Sequence, residues 1–355
     1  MPARLQQTYR VDRTLTKLAH LAFCLAALAG TVDASATECP VPPPGLRDIR
    51  AQGYYVDAAH SVIDEARKRA NTEMTRPLDD FTKQVADMSD RFRANQDVAA
   101  GKCAIEWLSS WARDGAMLGT MVHINNDQSD YLRQWVLGGA SIAYLKTRSV
   151  ATDEQRAQIE PWLRQLAVAN LAYWDNPKKK RNNHYYWTGV GIMGAAVGTG
   201  DEALFNTARG IYEKGIDDIE DDGTLPMEMA RGKRALHYHN YALAPLVLMA
   251  EMARLKGQDL YAYKNNRIHL LADRVASGYH DSSWFTEQAG VKQDKWLPDG
   301  EAGWVEFYRL RASHPEIFDD LHKAGPFDEP RMGGDLTLMA RVGITPAAVP
   351  AAASN

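Results

Sequence analysis

The sequence predicts an all-α protein. Apolar residues recur at three- and four-residue steps along most of the chain, no stretch sustains period-two alternation, and no Asn-Gly hairpin joins β-branched runs. At 355 residues, 45% hydrophobic and 9% aromatic, the chain can bury a large core, which excludes bulk disorder. Candidate helices lie near 57–72, 76–93, 103–119, 128–147, 152–174, 184–199, 202–219, 236–256, 260–279 and 300–323. Segment 152–174 shows the pattern. Ile159, Trp162, Leu163, Leu166, Ala167 and Leu171 make one apolar face, Thr152 is placed as N-cap before two acids, and Asn176-Pro177 stops the helix. Helices of this length joined by short loops form antiparallel hairpins. A series of them can build a bundle, a solenoid or a closed toroid, and the lack of a fixed-period repeat counts against a regular solenoid.

Residues 1–36 read as a secretory signal peptide. Arg4, Arg10, Arg13 and Lys17 form a basic start, and the apolar run 21–29 is too short to span a bilayer. Ala34-Ser35-Ala36 fits the small-residue cleavage rule. Phe23 before Cys24 does not fit a lipoprotein signal. The mature chain is expected to begin near Thr37, in the periplasm or outside the cell, with no stable membrane association after cleavage. One domain is expected over 37–345. It opens with an extended arm (37–56) rich in proline and is followed by a disordered Ala/Pro tail over 346–355. Two cysteines remain after cleavage, Cys39 and Cys103, and an even count in an oxidising compartment predicts a disulfide.

The net charge is −4, and the first 36 residues carry four bases and two acids, so the mature chain stands two units lower, at −6. That balance argues against nucleic-acid binding. An anionic ligand would require positive charge focused in a cleft.

Two long breaks interrupt the helices, at 175–183 and 217–235, and each ends in polar residues at the start of an apolar helix. Loops held by a rigid scaffold are where chemistry tends to sit. The first break leads into Asn182-Asn183-His184-Tyr185-Tyr186-Trp187, where amides and free backbone N–H groups can bind an anion. Asn183 would otherwise only cap the helix, with His184 and Tyr185 filling an interface. The second break leads into Arg231, Arg234, His237, Tyr238 and Tyr241. A helix starting near Arg231 would set two guanidiniums and two phenols on one face. Adjacent cations would lower a tyrosine's pKa toward that of a usable base.

These residues resemble polysaccharide lyase family 5, the periplasmic alginate lyases. The resemblance rests on Asn-Asn-His-x-Tyr-Trp at 182–187 and on Arg231-x-x-Arg234-Ala-Leu-x-Tyr238-His-Asn-Tyr241. Three further stretches agree: Asp222-Gly-x-Leu-Pro226-x-Glu228, Trp304-x-Glu-x-Tyr308 and Arg331-x-Gly-Gly-Asp335. It implies an incomplete (α/α) toroid with a deep cleft, and cleavage of a polyuronate such as polymannuronate or alginate by β-elimination. It further implies that Asn183, His184 and Arg231 neutralise the C5 carboxylate while Tyr238 takes the C5 proton and returns one to O4. Arg234, His237, Tyr241, Arg331 and Tyr55 become sugar contacts, and Cys39 and Cys103 fall where the family has its disulfide. No cofactor or metal is implied, and the protein is expected to act as a monomer on an anionic polysaccharide. Two positions depart from the alginate lyases: no lysine precedes Tyr54-Tyr55, and His237 replaces a small residue. Both point to a wider range that includes polyglucuronate and hyaluronate-type chains.

Other chemistries are less well served. There is no H-E-x-x-H or paired-cysteine metal motif, and the acidic run 217–223 lacks the glutamate that a calcium loop needs at its twelfth position. A glycoside hydrolase needs two carboxylates across a cleft, one of raised pKa. Glu228 is the acid next to the basic cluster, and Arg231 is expected to lower its pKa. A non-catalytic glycan-binding protein would use the aromatics and arginines but gives no reason for a phenol among cations.

Overall fold

The computed structural model describes residues 39–345, so the signal expected at 1–36 and the tail expected at 346–355 lie outside the described residues. The amino-terminal arm is extended, as its prolines dictate. It lies along a helix whose Trp107 and Trp111 indoles donate to the carbonyls of Pro40 and Pro43 at 2.7 and 2.9 Å. It then forms β1 (Ile49–Gln52), which pairs in parallel with β2 (Met121–Ile124). Strands of four residues are too short to leave a period-two signal, so sequence missed them.

The helix expected at 57–72 starts late. Asp57 gathers the backbone N–H groups of Ser61 and Val62 into a tight turn, and Asp64 caps the N–H groups of Ala66 and Arg67. From there α1 (Glu65–Asn95) runs through Pro77 without stopping, merging two expected helices. Pro77 and Glu73, whose carbonyl loses its donor there, are both exposed, so water can take that bond.

The next helices lie close to their expected places: α2 (Val98–Arg113), α3 (Gln128–Thr147), α4 (Asp153–Trp174), α5 (Asn183–Thr199) and α6 (Glu202–Asp217). Thr152 caps α4 in a capping box with Gln155. A short α7 (Pro226–Met229) precedes α8 (Ala235–Arg254). Burial separates two layers. Nearly every residue of α3, α5 and α8 is buried, whereas α2, α4 and α6 keep one polar face in water. The inner series α1, α3, α5, α8 packs neighbour to neighbour, with α2 and α4 paired behind it. This is an incomplete (α/α) toroid of mostly helical content, as expected, and the open side of the inner layer is the cleft.

The carboxyl-terminal part departs further. The helix expected at 260–279 occupies Ile268–His280, because Lys264, Asn265 and Asn266 adopt left-handed φ of 48°, 57° and 61°. The one expected at 300–323 is a chain of short turns around Trp304–Tyr308, broken before Pro315. Beyond it, β3 (Asp328–Glu329) and β4 (Gly334–Asp335) pair antiparallel around a 3-10 turn that presents Arg331. This turn approaches α3 at Gly138 and Gly139. A Cβ there would stand 2.6 Å from the Arg331 carbonyl oxygen and 2.5 Å from that of Pro330, so only glycine fits. Fully buried Lys146 fixes the turn by donating to Asp90 and to the Gly333 carbonyl.

The Cys39 and Cys103 thiols are unbonded in this structure, so the expected disulfide is not formed here. They do meet: burial and a hydrogen bond with Cys103 push the Cys39 thiol up to about 12. The sulfurs sit as neighbouring thiols rather than at covalent distance, with Cys103 on α2.

Candidate active site

The cleft encloses about 280 Å³. Of the expected residues, His184, Arg234, His237, Tyr238, Tyr241, Arg331 and Tyr55 line it. They come from distant parts of the chain. His184 opens α5, His237, Tyr238 and Tyr241 lie on α8, and Arg331 arrives on the β3–β4 turn. Arg231 and Arg234 are not on that helix. Arg231 precedes a 3-10 turn and Arg234 closes it, so the two guanidiniums reach the phenols from outside the helix rather than along one face of it.

Tyr238 is the centre of the arrangement. The Arg231 and Arg234 guanidiniums lie 4.5 and 5.1 Å from its ring centre. Its hydroxyl donates to the Tyr55 oxygen at 3.2 Å, and Arg234 donates to the same oxygen at 2.7 Å. The His60 carbonyl oxygen stands 3.4 Å from the Tyr238 hydroxyl on the turn before α1. Burial and Tyr55 raise the Tyr238 pKa well above the ordinary phenol value, outweighing the two guanidiniums. The expectation that the cations would lower it is therefore corrected: the resting residue is a neutral phenol.

His184 is also neutral. Burial, Arg231 and His60 push its pKa far below the usual imidazole value. Its ring lies flat on Tyr131, 3.7 Å between centres and 8° apart. It can therefore offer a hydrogen bond to a carboxylate but no positive charge. His237 stacks against Tyr241 at 6.3 Å and is held neutral, pushed down to about 3 by burial and Arg234.

Asn183 and Arg231 stand behind the cleft rather than in its lining. Asn182 is the cap, accepting from the His184 N–H at 3.2 Å, and Asn183 is the first helical residue. The Asn183 backbone N–H and side-chain amide donate to Glu228 at 3.1 and 2.8 Å, and Arg231 pairs with the same carboxylate at 3.4 Å. Burial raises the Glu228 pKa despite Arg231 and Asn183, which corrects the expected direction. Glu228 nevertheless does not line the cleft, so it cannot protonate a ligand there. Arg331 stacks 4.4 Å over Trp135. Burial works against its charge, but Glu329, Tyr241 and Asp79 outweigh it and hold it protonated.

Sequence reasoning missed Tyr54, His60, Lys68, Tyr131, Gln134, Trp135, Asp299 and Glu301. All but Gln134 line the cleft, and Gln134 touches His184. Polar Gln128, Asp130, Arg133 and Gln134 inside the otherwise apolar 128–147 helix were the available signal. Burial and neighbouring Asp299 and Glu329 raise the Glu301 pKa far above the carboxylate range, so this acid does not cancel the cleft's cations. Among the described residues, His123, Asp127 and Asp130 bring three possible metal ligands within 4.8 Å, but Lys179, Tyr173 and Arg133 already engage both carboxylates. The motifs Trp304-x-Glu-x-Tyr308 and Asp222-to-Glu228 are scaffold. Trp304 donates to Asn240 at 2.7 Å in the core, and Glu228 anchors the start of α5.

A helical toroid whose cleft sets a phenol between guanidiniums and beside a neutral imidazole defines a polysaccharide lyase. A family model described as "Alginate lyase" matches residues 48–285. A "Polysaccharide lyase" of Stenotrophomonas maltophilia is 56% identical over 90% of this chain and 96% of its own length. An "Alginate lyase" of Cobetia marina is 32% identical over 84% of this chain and 82% of its own. Among solved structures, alginate lyase A1-III from Sphingomonas species A1 superposes with a TM-score of 0.71 at 27% identity, covering 86% of each chain. The chain belongs to the alginate lyase family.

Proposed function

We propose that this lyase cleaves mannuronate-containing polyuronates of the alginate type by β-elimination. The supporting observation is the Tyr238 hydroxyl, set in the cleft under two guanidiniums and hydrogen-bonded to Tyr55. The relatives named as alginate lyases favour the same substrate class. Tyr238 first gives its own proton to solvent, a step that the Arg234 and Arg231 guanidiniums favour and that burial and Tyr55 oppose. The phenolate then takes the C5 proton, the C4–O4 bond breaks as the C4–C5 double bond forms, and the phenol returns that proton to O4. The C5 proton is acidic enough only when the adjacent carboxylate is neutralised as charge develops. In this reading His184 donates to that carboxylate, Arg231 supplies charge from behind the ring of Tyr238, and Asn183 holds Glu228 and the α5 start in place. Arg234, His237, Tyr241, Arg331 and Tyr55 contact the sugars. The mechanism calls on no cofactor or metal.

The site is proposed to work as a monomer outside the cytoplasm, after removal of residues 1–36, with Cys39 and Cys103 oxidised to a disulfide there. A second reading, a wider polyuronate range, is favoured by His237, a neutral donor and acceptor in the cleft wall. Initial rates of the purified protein on polymannuronate, polyguluronate, polyglucuronate and hyaluronate test both. Polymannuronate among the best substrates supports the first, comparable rates on glucuronate chains support the second, and no rate on any of them refutes both.

A further inference from the structure

The Nδ1 side of His184 is wired to a chain of buried groups. Its Nδ1 meets the Gln134 amide nitrogen at 3.4 Å. The Gln134 amide oxygen is 2.6 Å from the Thr188 hydroxyl, and the Trp174 indole N–H donates to that hydroxyl at 2.9 Å. Gln134, Thr188 and Trp174 are 2%, 1% and 4% exposed, so no water competes for these bonds. Among the described residues, the other ring nitrogen, Nε2, makes no hydrogen bond, and His184 lines the cleft.

The chain has a direction. An indole N–H can only donate, so Thr188 is an acceptor at that end and has one hydrogen left to give. A contact of 2.6 Å fits an O–H···O bond better than an N–H···O bond. The Thr188 hydroxyl also lies 3.0 Å from the His184 carbonyl oxygen, but its 2.6 Å contact is the shorter, so its hydrogen goes to the Gln134 oxygen, which turns the amide NH₂ toward His184. An amide N–H facing Nδ1 requires Nδ1 to be the bare, accepting nitrogen. A neutral imidazole with a bare Nδ1 carries its proton on Nε2, the nitrogen left for the cleft.

We propose that Gln134, oriented by Thr188 and Trp174, fixes His184 as the Nε2–H tautomer, so the ring donates a hydrogen bond to the substrate carboxylate and cannot take the C5 proton. The opposite amide orientation would put a lone pair on Nε2 and make His184 a base. Gln134 thus acts as a positioning residue that assigns proton transfer to Tyr238. This rests on the proposed binding of a uronate carboxylate in the cleft. The stack with Tyr131 adds the second restraint, because it fixes the plane in which the Nε2–H bond can point.

The test is a two-bond ¹H–¹⁵N correlation spectrum of the histidine-labelled mature protein at neutral pH, with His184 assigned by the signal lost in His184→Gln. The expected pattern is a pyridine-like Nδ1 and a pyrrole-like Nε2. Gln134→Glu places an acceptor opposite Nδ1, so Nδ1 should become pyrrole-like and kcat/KM should fall by roughly 10- to 100-fold, the scale of a lost hydrogen bond to a charged group. Thr188→Val, which frees the amide to turn, should move the spectrum the same way if Gln134→Glu does not fold. A native spectrum with protonated Nδ1 would overturn the proposal, as would folded variants that keep the native pattern or lose the pattern with no change in kcat/KM. The spectrum needs no substrate, so it decides the tautomer whether or not elimination is observed.

Discussion

The hydroxyl oxygens of Tyr55 and Tyr238 lie 3.2 Å apart, joining the turn before α1 to α8 at the floor of the cleft. The pair explains why Tyr238 rests as a phenol. Its partner and its burial both disfavour the anion, and two guanidiniums recover only part of that cost.

The pH profile follows with a definite sign. In the proposed mechanism the active base is the phenolate, which is populated only as pH rises toward a pKa raised above the ordinary phenol value of about 10. The value of kcat/KM should therefore climb about tenfold per unit from neutral pH to about pH 9, with no plateau. Initial rates at constant ionic strength check this. A plateau beginning near neutral pH would identify a base of lower pKa.

Single substitutions separate the roles. Tyr238→Phe keeps the ring and should leave the fold intact while lowering kcat by roughly 10²- to 10⁴-fold, the usual worth of a positioned acid/base. His184→Ala and Arg231→Ala should lower turnover less, and their effects should not add, because both are proposed to serve one carboxylate. Arg231→Ala should also lower Tm, since it strips the cation from buried Glu228. Melting curves recorded beside the kinetics distinguish the two. A folded Tyr238→Phe protein with near-normal activity would make His184 the leading base.

His237 reports on specificity. It lines the cleft but is neutral and makes no hydrogen bond to the Tyr238 hydroxyl, which supports the proposed role as a sugar contact rather than a proton carrier. His237→Ala should reorder the rates on mannuronate and glucuronate polymers more than it changes the best rate. An equal loss on every polymer would place it in the chemistry instead.

The cysteines give an orthogonal check. Cys39 and Cys103 already touch as thiols, so oxidation to the proposed disulfide requires little movement. Intact-mass measurement of secreted protein should find the two hydrogens of the pair missing. Reduction should lower stability by about 2–4 kcal/mol if the loop is unstrained. Two free thiols in secreted protein would refute the bond.

Much of the fold was legible because helices leave a periodic trace. Thr152 and the apolar face of α4 set its bounds. The carboxyl-terminal third was less legible. There, three consecutive left-handed residues at 264–266 and several single-turn helices are set by tertiary contacts rather than by period. The site followed the same division. Tyr238, His184 and Arg331 stood in recognisable motifs, whereas Glu301 and Gln134 are ordinary polar residues in sequence. Their roles come from packing that brings Asp299, Glu329 and Thr188 beside them. Burial also reversed two electrostatic expectations, for Tyr238 and Glu228, because sequence displays the neighbouring charges but not the desolvation that outweighs them.

Elimination itself is the claim tested most directly. Elimination leaves a C4–C5 double bond conjugated with the carboxylate, and hydrolysis leaves none. Ultraviolet absorbance and new reducing ends should be followed together during digestion of polymannuronate. The expected result is absorbance rising in step with the reducing ends in the native protein and neither rising in Tyr238→Phe. Reducing ends that appear without absorbance would contradict the account and assign the cleft to a hydrolase working through Asp299 and Glu301.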